Sequence, residues 1–338
     1  MNQQSQKASY LATYLDWIGE HLSSPTAIEV AINSNGEIWV ENAGSANMVK
    51  SDHSLDPQKV ADLAGIIANT SKNKLTDASP IVSAAVEYKG LVLRAQIVAP
   101  PAVARGTVLS FRVFRHGEAR EPKKFKFLRD PNSSLEDERL DKIKAIRDLA
   151  AMGQEDEFLR ALISNRLNIV VSGGTSTGKT ELGRRMLWMV DDVERIVTIE
   201  DSLELLPRQD NVVSLIATRD DQSARSANRL LQATLRMRPD RIILGELRGV
   251  EAATFLDAIN TGHAGSFTTL HAESARKAMD RLALLVMSTG TKLSYPEVIR
   301  YLEGSIDVII QTGRLGDERG LMEVYFPALK NAEAGNQE

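Results

Sequence analysis

Gly173-Gly174-Thr175-Ser176-Thr177-Gly178-Lys179-Thr180 is the stretch that decides how the rest of the chain is read. Its spacing is that of a phosphate loop: Gly, four residues, Gly, Lys and a hydroxyl residue. Leu167-Asn168-Ile169-Val170-Val171-Ser172 runs into it, short and β-branched, as a buried parallel strand should be. Residues Glu181 to Val190 follow with apolar side chains near helical spacing. Strand, glycine loop, helix is the context the motif requires. The glycines let backbone N–H groups curl around phosphate oxygens where a β-carbon would obstruct the approach. The new helix aims its positive end at the same phosphates. Residues Gly173 to Thr180, with Glu181 in the first helical turn, are therefore expected to hold ATP. Lys179 should reach the β- and γ-phosphates, and the Thr180 hydroxyl should ligate Mg²⁺. A chain this long matches the pattern by accident at a rate on the order of one in a hundred, and the flanking elements lower that further.

The 338 residues suffice for two domains, and 43% hydrophobic with 25% charged residues is a globular composition. No apolar run reaches about 18 residues, so no membrane span is expected. Met1-Asn2-Gln3-Gln4-Ser5-Gln6-Lys7 lacks the basic-then-apolar order of a signal peptide. The absence of cysteine removes disulfide and thiolate chemistry and fits a reducing compartment. A net charge of −4 argues against a general polyanion binder, and no sequence-specific nucleic-acid partner is expected.

Outward from the loop, Tyr10, Leu11, Tyr14, Leu15, Trp17, Ile18 and Leu22 within residues 8–22 recur every three to four residues, as in an amphipathic helix. Ala27–Ile32 and Glu37–Glu41 alternate as strands around the hairpin signal Asn33-Ser34-Asn35-Gly36. Asp56-Pro57 opens a second helix. Strand-like runs follow at 82–88, 91–98 and 107–114, so residues 1–120 read as a smaller α+β domain. Residues 117–137 are polar and turn-rich, a linker with a basic cluster of Lys123, Lys124, Lys126 and Arg129. That cluster reads as a solvated face, or as a contact for acidic headgroups or a partner. An amphipathic helix from Glu136 to Ala151 completes a linker region over 121–150. From 151 to 330, strands expected at 167–172, 195–199, 211–215, 241–245, 266–270 and 306–311 alternate with helices, which predicts a largely parallel α/β sheet. Residues 314–320 read as a hairpin turn, and 331–338 as a frayed tail.

Two further stretches place chemistry at strand ends. Ile196-Val197-Thr198-Ile199 runs into Glu200, Asp201 and Glu204, three carboxylates within five residues. Crowded like charges need relief, from a cation such as Mg²⁺ or an oriented water, or simply from exposure at a helix start. Arg241-Ile242-Ile243-Leu244-Gly245 ends in Glu246, as the Mg²⁺-side strand of a phosphate-loop NTPase ends in an acid, though usually Asp. His263 and His271 flank a Gly/Thr-rich strand. Each reads equally as a packed polar residue or as a sensor of the γ-phosphate. A zinc pair has no cysteine or other clustered ligand to support it.

The phosphate loop, the acidic box Ile199 to Leu205, the segment Arg236 to Gly249 and the histidine box Gly262 to His271 occur in the order seen in hexameric secretion ATPases. In these four boxes the chain resembles the family that powers type II and type IV secretion and pilus assembly, over about residues 25–312. Arg94-Ala95-Gln96-Ile97-Val98-Ala99-Pro100-Pro101 and Ser110-Phe111-Arg112-Val113 resemble its VirB-eleven branch most. The resemblance implies a PAS-like N-terminal domain, a RecA-like C-terminal domain and a homohexamer with ATP·Mg²⁺ between the two domains. It implies that Glu204, in preference to Glu200, polarises water. Glu246 would order the Mg²⁺ shell, so that Thr180, Glu204 and Glu246 are the metal-side residues. It further implies that Arg94 and Arg112 contact the phosphates, and that His263 and His271 sense them. Implied partners are other secretion-system inner-membrane ATPases and channel components, with a cytoplasmic location peripheral to the inner membrane. One departure stands inside the loop: Ser176-Thr177 occupies the place of the family's frequent Gly-Ser. The alternatives are a pilus extension or retraction motor, a RecA- or helicase-type DNA motor, and a nucleotide-gated scaffold without turnover. The acidic balance and the lack of basic–aromatic interleaving weigh against the DNA motor.

Overall fold

The computed structural model describes residues 10–115 and 125–329. Lys123, Lys124, the expected tail at 331–338 and the first two residues of the expected N-terminal helix lie outside these. After a helical stretch at 10–15 and a 3₁₀ turn at Asp16–Ile18 come α1 (Gly19–Ser23), β1 (Ala27–Ile32), β2 (Glu37–Asn42), β3 (Val49–Ser54) and α2 (Pro57–Thr70). Then follow β4 (Ile81–Tyr88), β5 (Leu91–Val98), β6 (Val108–Arg115), α3 (Leu135–Ala151), α4 (Glu155–Ser164), β7 (Ile169–Gly173) and α5 (Lys179–Trp188). The remainder is β8 (Ile196–Glu200), β9 (Val212–Ile216), α6 (Ala227–Thr234), β10 (Arg241–Leu244), α7 (Glu251–Asn260), β11 (Phe267–Leu270), α8 (Ala275–Met287), α9 (Tyr295–Ser305), β12 (Val308–Leu315) and β13 (Glu318–Tyr325). By their contacts the residues form two compact units, Met1–His116 with Val190–His263, and Gly117–Met189 with Ala264–Glu338.

In the first unit, β1 to β6 make an antiparallel sheet of order β3-β2-β1-β6-β5-β4. Period-2 alternation turns Val30, Ile32, Ile38, Val40, Leu93 and Phe111 to one face, where Val60, Leu63, Ala64 and Ile67 of α2 cover them. Asp56 starts α2 by accepting the Gln58 N–H at 2.8 Å, with Pro57 in the first turn. The opposite face carries Ala31 and Trp39, packed with Met48. The expected single helix over 8–22 is instead broken at Asp16, whose carboxylate takes the Tyr88 hydroxyl at 2.7 Å and the Lys89 ammonium at 2.7 Å. The edge strand β3 was not foreseen, because Val49-Lys50-Ser51-Asp52-His53-Ser54 is polar and mostly exposed.

The same unit contains the parallel strands β10, β8 and β9, with Leu244 opposite Ile199 and Val197 opposite Val213. Buried Arg195 ties them to the β1–β2 turn. Its guanidinium bonds Asn33 Oδ1 at 2.8 Å and the Met237 carbonyl at 2.9 Å, and it also meets Asn211. Burial pulls this arginine down to about 10. Arg238 grips both oxygens of Glu41 on β2, at 3.0 and 3.1 Å.

In the second unit the order is β13-β12-β7-β11, with β7 parallel to both neighbours and β12–β13 an antiparallel hairpin. All of β7 is buried, as its unbroken apolar run predicts. Asp307, 2% exposed, accepts the Asn168 N–H at 2.7 Å and the Arg139 Nε–H at 2.8 Å, which fixes the start of β12 beside β7 and docks α3. The expected turn at 314–320 is the tip of a longer hairpin. Its second strand is amphipathic too weakly to stand out in sequence. No helix among the described residues is long and apolar enough to cross a membrane.

Candidate nucleotide site

The second unit brings the phosphate loop and His271 together. β7 ends at Gly173, and α5 begins at Lys179, straight after Gly178, whose φ of +96° is a glycine conformation. A β-carbon on Gly173 would lie 2.3 Å from Thr312 Oγ1 and 2.5 Å from Thr177 Oγ1, so only glycine lets β7 turn into the loop beside β12. Thr177 Oγ1 lies 2.8 Å from Thr312 Oγ1 and 3.0 Å from the Gly174 carbonyl, which pins the loop's crest. Ser176 sits at φ +60°, the left-handed region, which costs a non-glycine residue about 1 kcal/mol of backbone strain.

Lys179 Nζ donates to the carbonyls of Gly173 at 2.9 Å and Gly174 at 2.6 Å, and lies 3.3 Å from His271 Nδ1. An ammonium can only donate, so this contact is a hydrogen bond only in the tautomer whose Nδ1 is bare. His271 follows β11 directly. Two clefts open beside the loop. One, of about 1070 Å³, is lined by Thr177, Gly178, Glu181, Arg185, Arg319 and Tyr325, among others. The other, of about 460 Å³, is lined by Gly174, Thr175, His271, Arg281 and Gln311, among others. Gln311 Oε1 in the smaller cleft is buried and unpartnered. The cradle fits a polyphosphate: Gly173, where a Cβ cannot stand, a left-handed Gly178, a helix N-terminus at the loop's end, and a lysine already held there. Thr180 stands in the first turn of α5, where a hydroxyl can meet the metal of a bound nucleotide.

The acidic residues belong to the first unit. Glu200, 5% exposed, accepts the backbone N–H groups of Glu204 and Leu205 through Oε2, each at 2.9 Å. It thereby shapes the loop that follows β8, while its Oε1 is buried and unpartnered. Asp201 is gripped by Arg248 and, at 3.1 Å, by Arg219. Burial works against its charge, but these two guanidinium groups hold its carboxyl below the usual range. Arg248 also pairs with Glu246 at 2.6 Å, and that bond raises its own already high pKa. Glu251 fastens the turn by accepting the N–H groups of Arg248 and Gly249 at 2.6 and 2.8 Å. Of the crowded acids, Asp201 is thus relieved by Arg219 and Arg248, which sequence reasoning passed over because neither lies in the acidic box, and Glu200 by backbone N–H groups. Glu204 is exposed, with the Ser202 hydroxyl 3.3 Å away.

Arg94 on β5 and Arg112 on β6 are directly opposite in register. Both are exposed, and both lie over the Phe114 ring, at 4.7 and 5.8 Å. Arg112 continues the row to Glu29 on β1, 3.7 Å away, and Glu29 faces Glu41 on β2. Burial pushes Glu29 up to about 7 despite the opposing pull of Arg112. His263 does something different from His271: its Nδ1–H donates to the Ala258 carbonyl at 3.1 Å, closing the end of α7.

A family model described as type II/IV secretion system protein matches residues 139–317. The type IV secretion system protein VirB11 of Bartonella quintana (strain Toulouse) is 32% identical over 99% of this chain and 100% of its own length. Protein VirB11 of Rhizobium radiobacter is 33% identical over 94% of this chain and 93% of its own. The crystal structure of the VirB11 ATPase from the Brucella suis type IV secretion system in complex with sulphate superposes with a TM-score of 0.84 at 29% identity, covering 98% of both chains.

Proposed function

Because the chain belongs to the type II/IV secretion system protein family, we propose that it is an ATPase that powers a type IV secretion system. The observation that carries this is the phosphate cradle between β7 and α5, with Lys179 already held on the Gly173 and Gly174 carbonyls. Full-length similarity to relatives named for that system supports the assignment.

On this reading a RecA-like domain over 151–330 binds ATP and Mg²⁺, and a PAS-like domain over 1–120 moves with the nucleotide state, the two joined through 121–150. Residues Gly173 to Glu181 hold the phosphates, and Thr180 takes the metal. Glu204 orients the attacking water; the exposure of Glu204 and the structural employment of Glu200 support that order of preference. Glu246 serves the metal's hydration shell. Arg94 and Arg112 neutralise phosphate charge, a role worth roughly 10³–10⁵ in rate in other NTPases. His271 is a sensor through its Nε2–H. His263, employed at the end of α7, supports such a role less. The chain works as a homohexamer at the cytoplasmic side of the inner membrane, among the other ATPases and channel components of the system.

Replacing Lys179 by Ala is the direct test. Phosphate release from ATP should fall to background while the fold, followed by circular dichroism, persists. Turnover near the wild-type rate in a folded Lys179→Ala variant would overturn the proposal.

A further inference from the structure

Away from the nucleotide machinery, one cluster has the composition and spacing of a metal site. Glu20 and His21 are consecutive in α1, and His53 lies near the end of the edge strand β3. His21 Nε2 is 3.4 Å from Glu20 Oε1, and His53 Nδ1 approaches the same oxygen more closely. The three ligand atoms lie within 4.8 Å of one another, and no other trio of His, Cys, Asp or Glu among the described residues does so. The two imidazole rings stand edge-on, 6.2 Å apart between centroids. We propose that Glu20, His21 and His53 bind one divalent transition-metal ion of the zinc class, tying α1 to β3.

The geometry supports this choice of ion. Tetrahedral zinc holds N and O ligands at about 2.0–2.2 Å, which sets them roughly 3.4 Å apart. The His21–Glu20 pair already has that separation. His53 needs only to swing its exposed ring away from Glu20 and toward His21, giving up one contact with the carboxylate. Two imidazoles and one carboxylate suit Zn²⁺ or Co²⁺, whereas Mg²⁺ and Ca²⁺ favour oxygen-only shells. His21 Nε2 contacts the Ser51 hydroxyl at 3.2 Å, and that is the bond the ion replaces. Glu20 and His53 are exposed, so an ion reaches the site from solvent and a water completes the fourth position. The ion would clamp the outermost strand of the sheet, whose own side chains bury little.

Untagged, EDTA-stripped full-length protein is titrated with Zn²⁺ and, separately, with Co²⁺. One ion per chain should be retained through desalting, the Co²⁺ form should show the visible bands of a tetrahedral site, and Zn²⁺ should raise Tm by several degrees where Mg²⁺ at the same concentration does not. His53→Ala, a change on an exposed side chain, should weaken Zn²⁺ binding at least ten-fold and leave basal phosphate release unchanged. His21→Ala should do the same to zinc. Equal zinc uptake by wild type and His53→Ala, failure to retain either ion, or uptake lost only in His271→Asn would overturn the site.

Discussion

Glu200 and Glu204 are four residues apart, chemically identical and given opposite employment. Glu200 is buried with one oxygen committed to two backbone N–H groups, so it is part of the scaffold. Glu204 points outward. Glu200→Ala should cost about 2 kcal/mol, because one buried and one part-buried donor lose their acceptor. Glu204→Gln should leave the urea midpoint within about 0.5 kcal/mol of wild type and slow turnover about 10²–10⁴-fold, the range for a lost general base. Equal losses of turnover and of stability in both variants would remove the distinction. The carboxylates themselves were visible in the sequence; their partners were not. Arg248 lies 47 positions from Asp201, and only the pairing of β8 with β10 brings their loops together. Ser176 shows the reverse case: its identity is marked in the sequence, but its left-handed backbone is read only from the fold.

At the level of elements, the central strands announced themselves by continuous apolar runs, and most helices by periodicity and caps. The two unforeseen strands, β3 and β13, are each paired on a single side; β3 is mostly polar, and β13 sets Leu321, Met322, Val324 and Tyr325 among charged residues and glycine without a clean alternation, so hydrophobic patterning had little to report. The cross-strand row Arg94, Arg112, Glu29, Glu41 was likewise invisible, since register and not spacing creates it. Arg112, Glu41, Arg238 and Arg195 are the charges that act on Glu29, and burial outweighs the cations among them. The sign follows from its raised folded value. Protonated Glu29 is favoured in the native state, so its contribution is fully present below the unfolded value near 4.5 and is lost as pH rises through about 7. The loss is on the order of 3 kcal/mol. Glu29→Gln should flatten the pH dependence of the urea midpoint over that window and be the more stable protein at pH 8. A parallel pH profile for variant and wild type would show that burial does not govern this carboxyl.

For the whole molecule, the nucleotide loop and its flanking strand and helix were legible almost residue for residue, because the loop's chemistry demands a fixed spacing of glycines, lysine and hydroxyl. The grouping of residues 190–263 with 1–116 was not, since it rests on buried polar ties such as Arg195 with Asn33 and Arg238 with Glu41, each made of residues far apart in sequence. The proposed homohexamer is tested by native mass spectrometry with and without a non-hydrolysable ATP analogue. A six-chain species should appear and be strengthened by the analogue, and a strict monomer under both conditions would undo the ring and the roles given to Arg94 and Arg112. Any assembly of identical chains presents the same strand border several times over, and an open border invites neighbours to zip together without limit. One such border here is β3, carrying Lys50, Asp52 and His53, with a register slip where β2 meets it. A parallel, in-register pairing of copies would set ammonium against ammonium and carboxylate against carboxylate, and the slip spoils the flatness a second sheet would need. Copies are thereby discouraged from zipping together along this border.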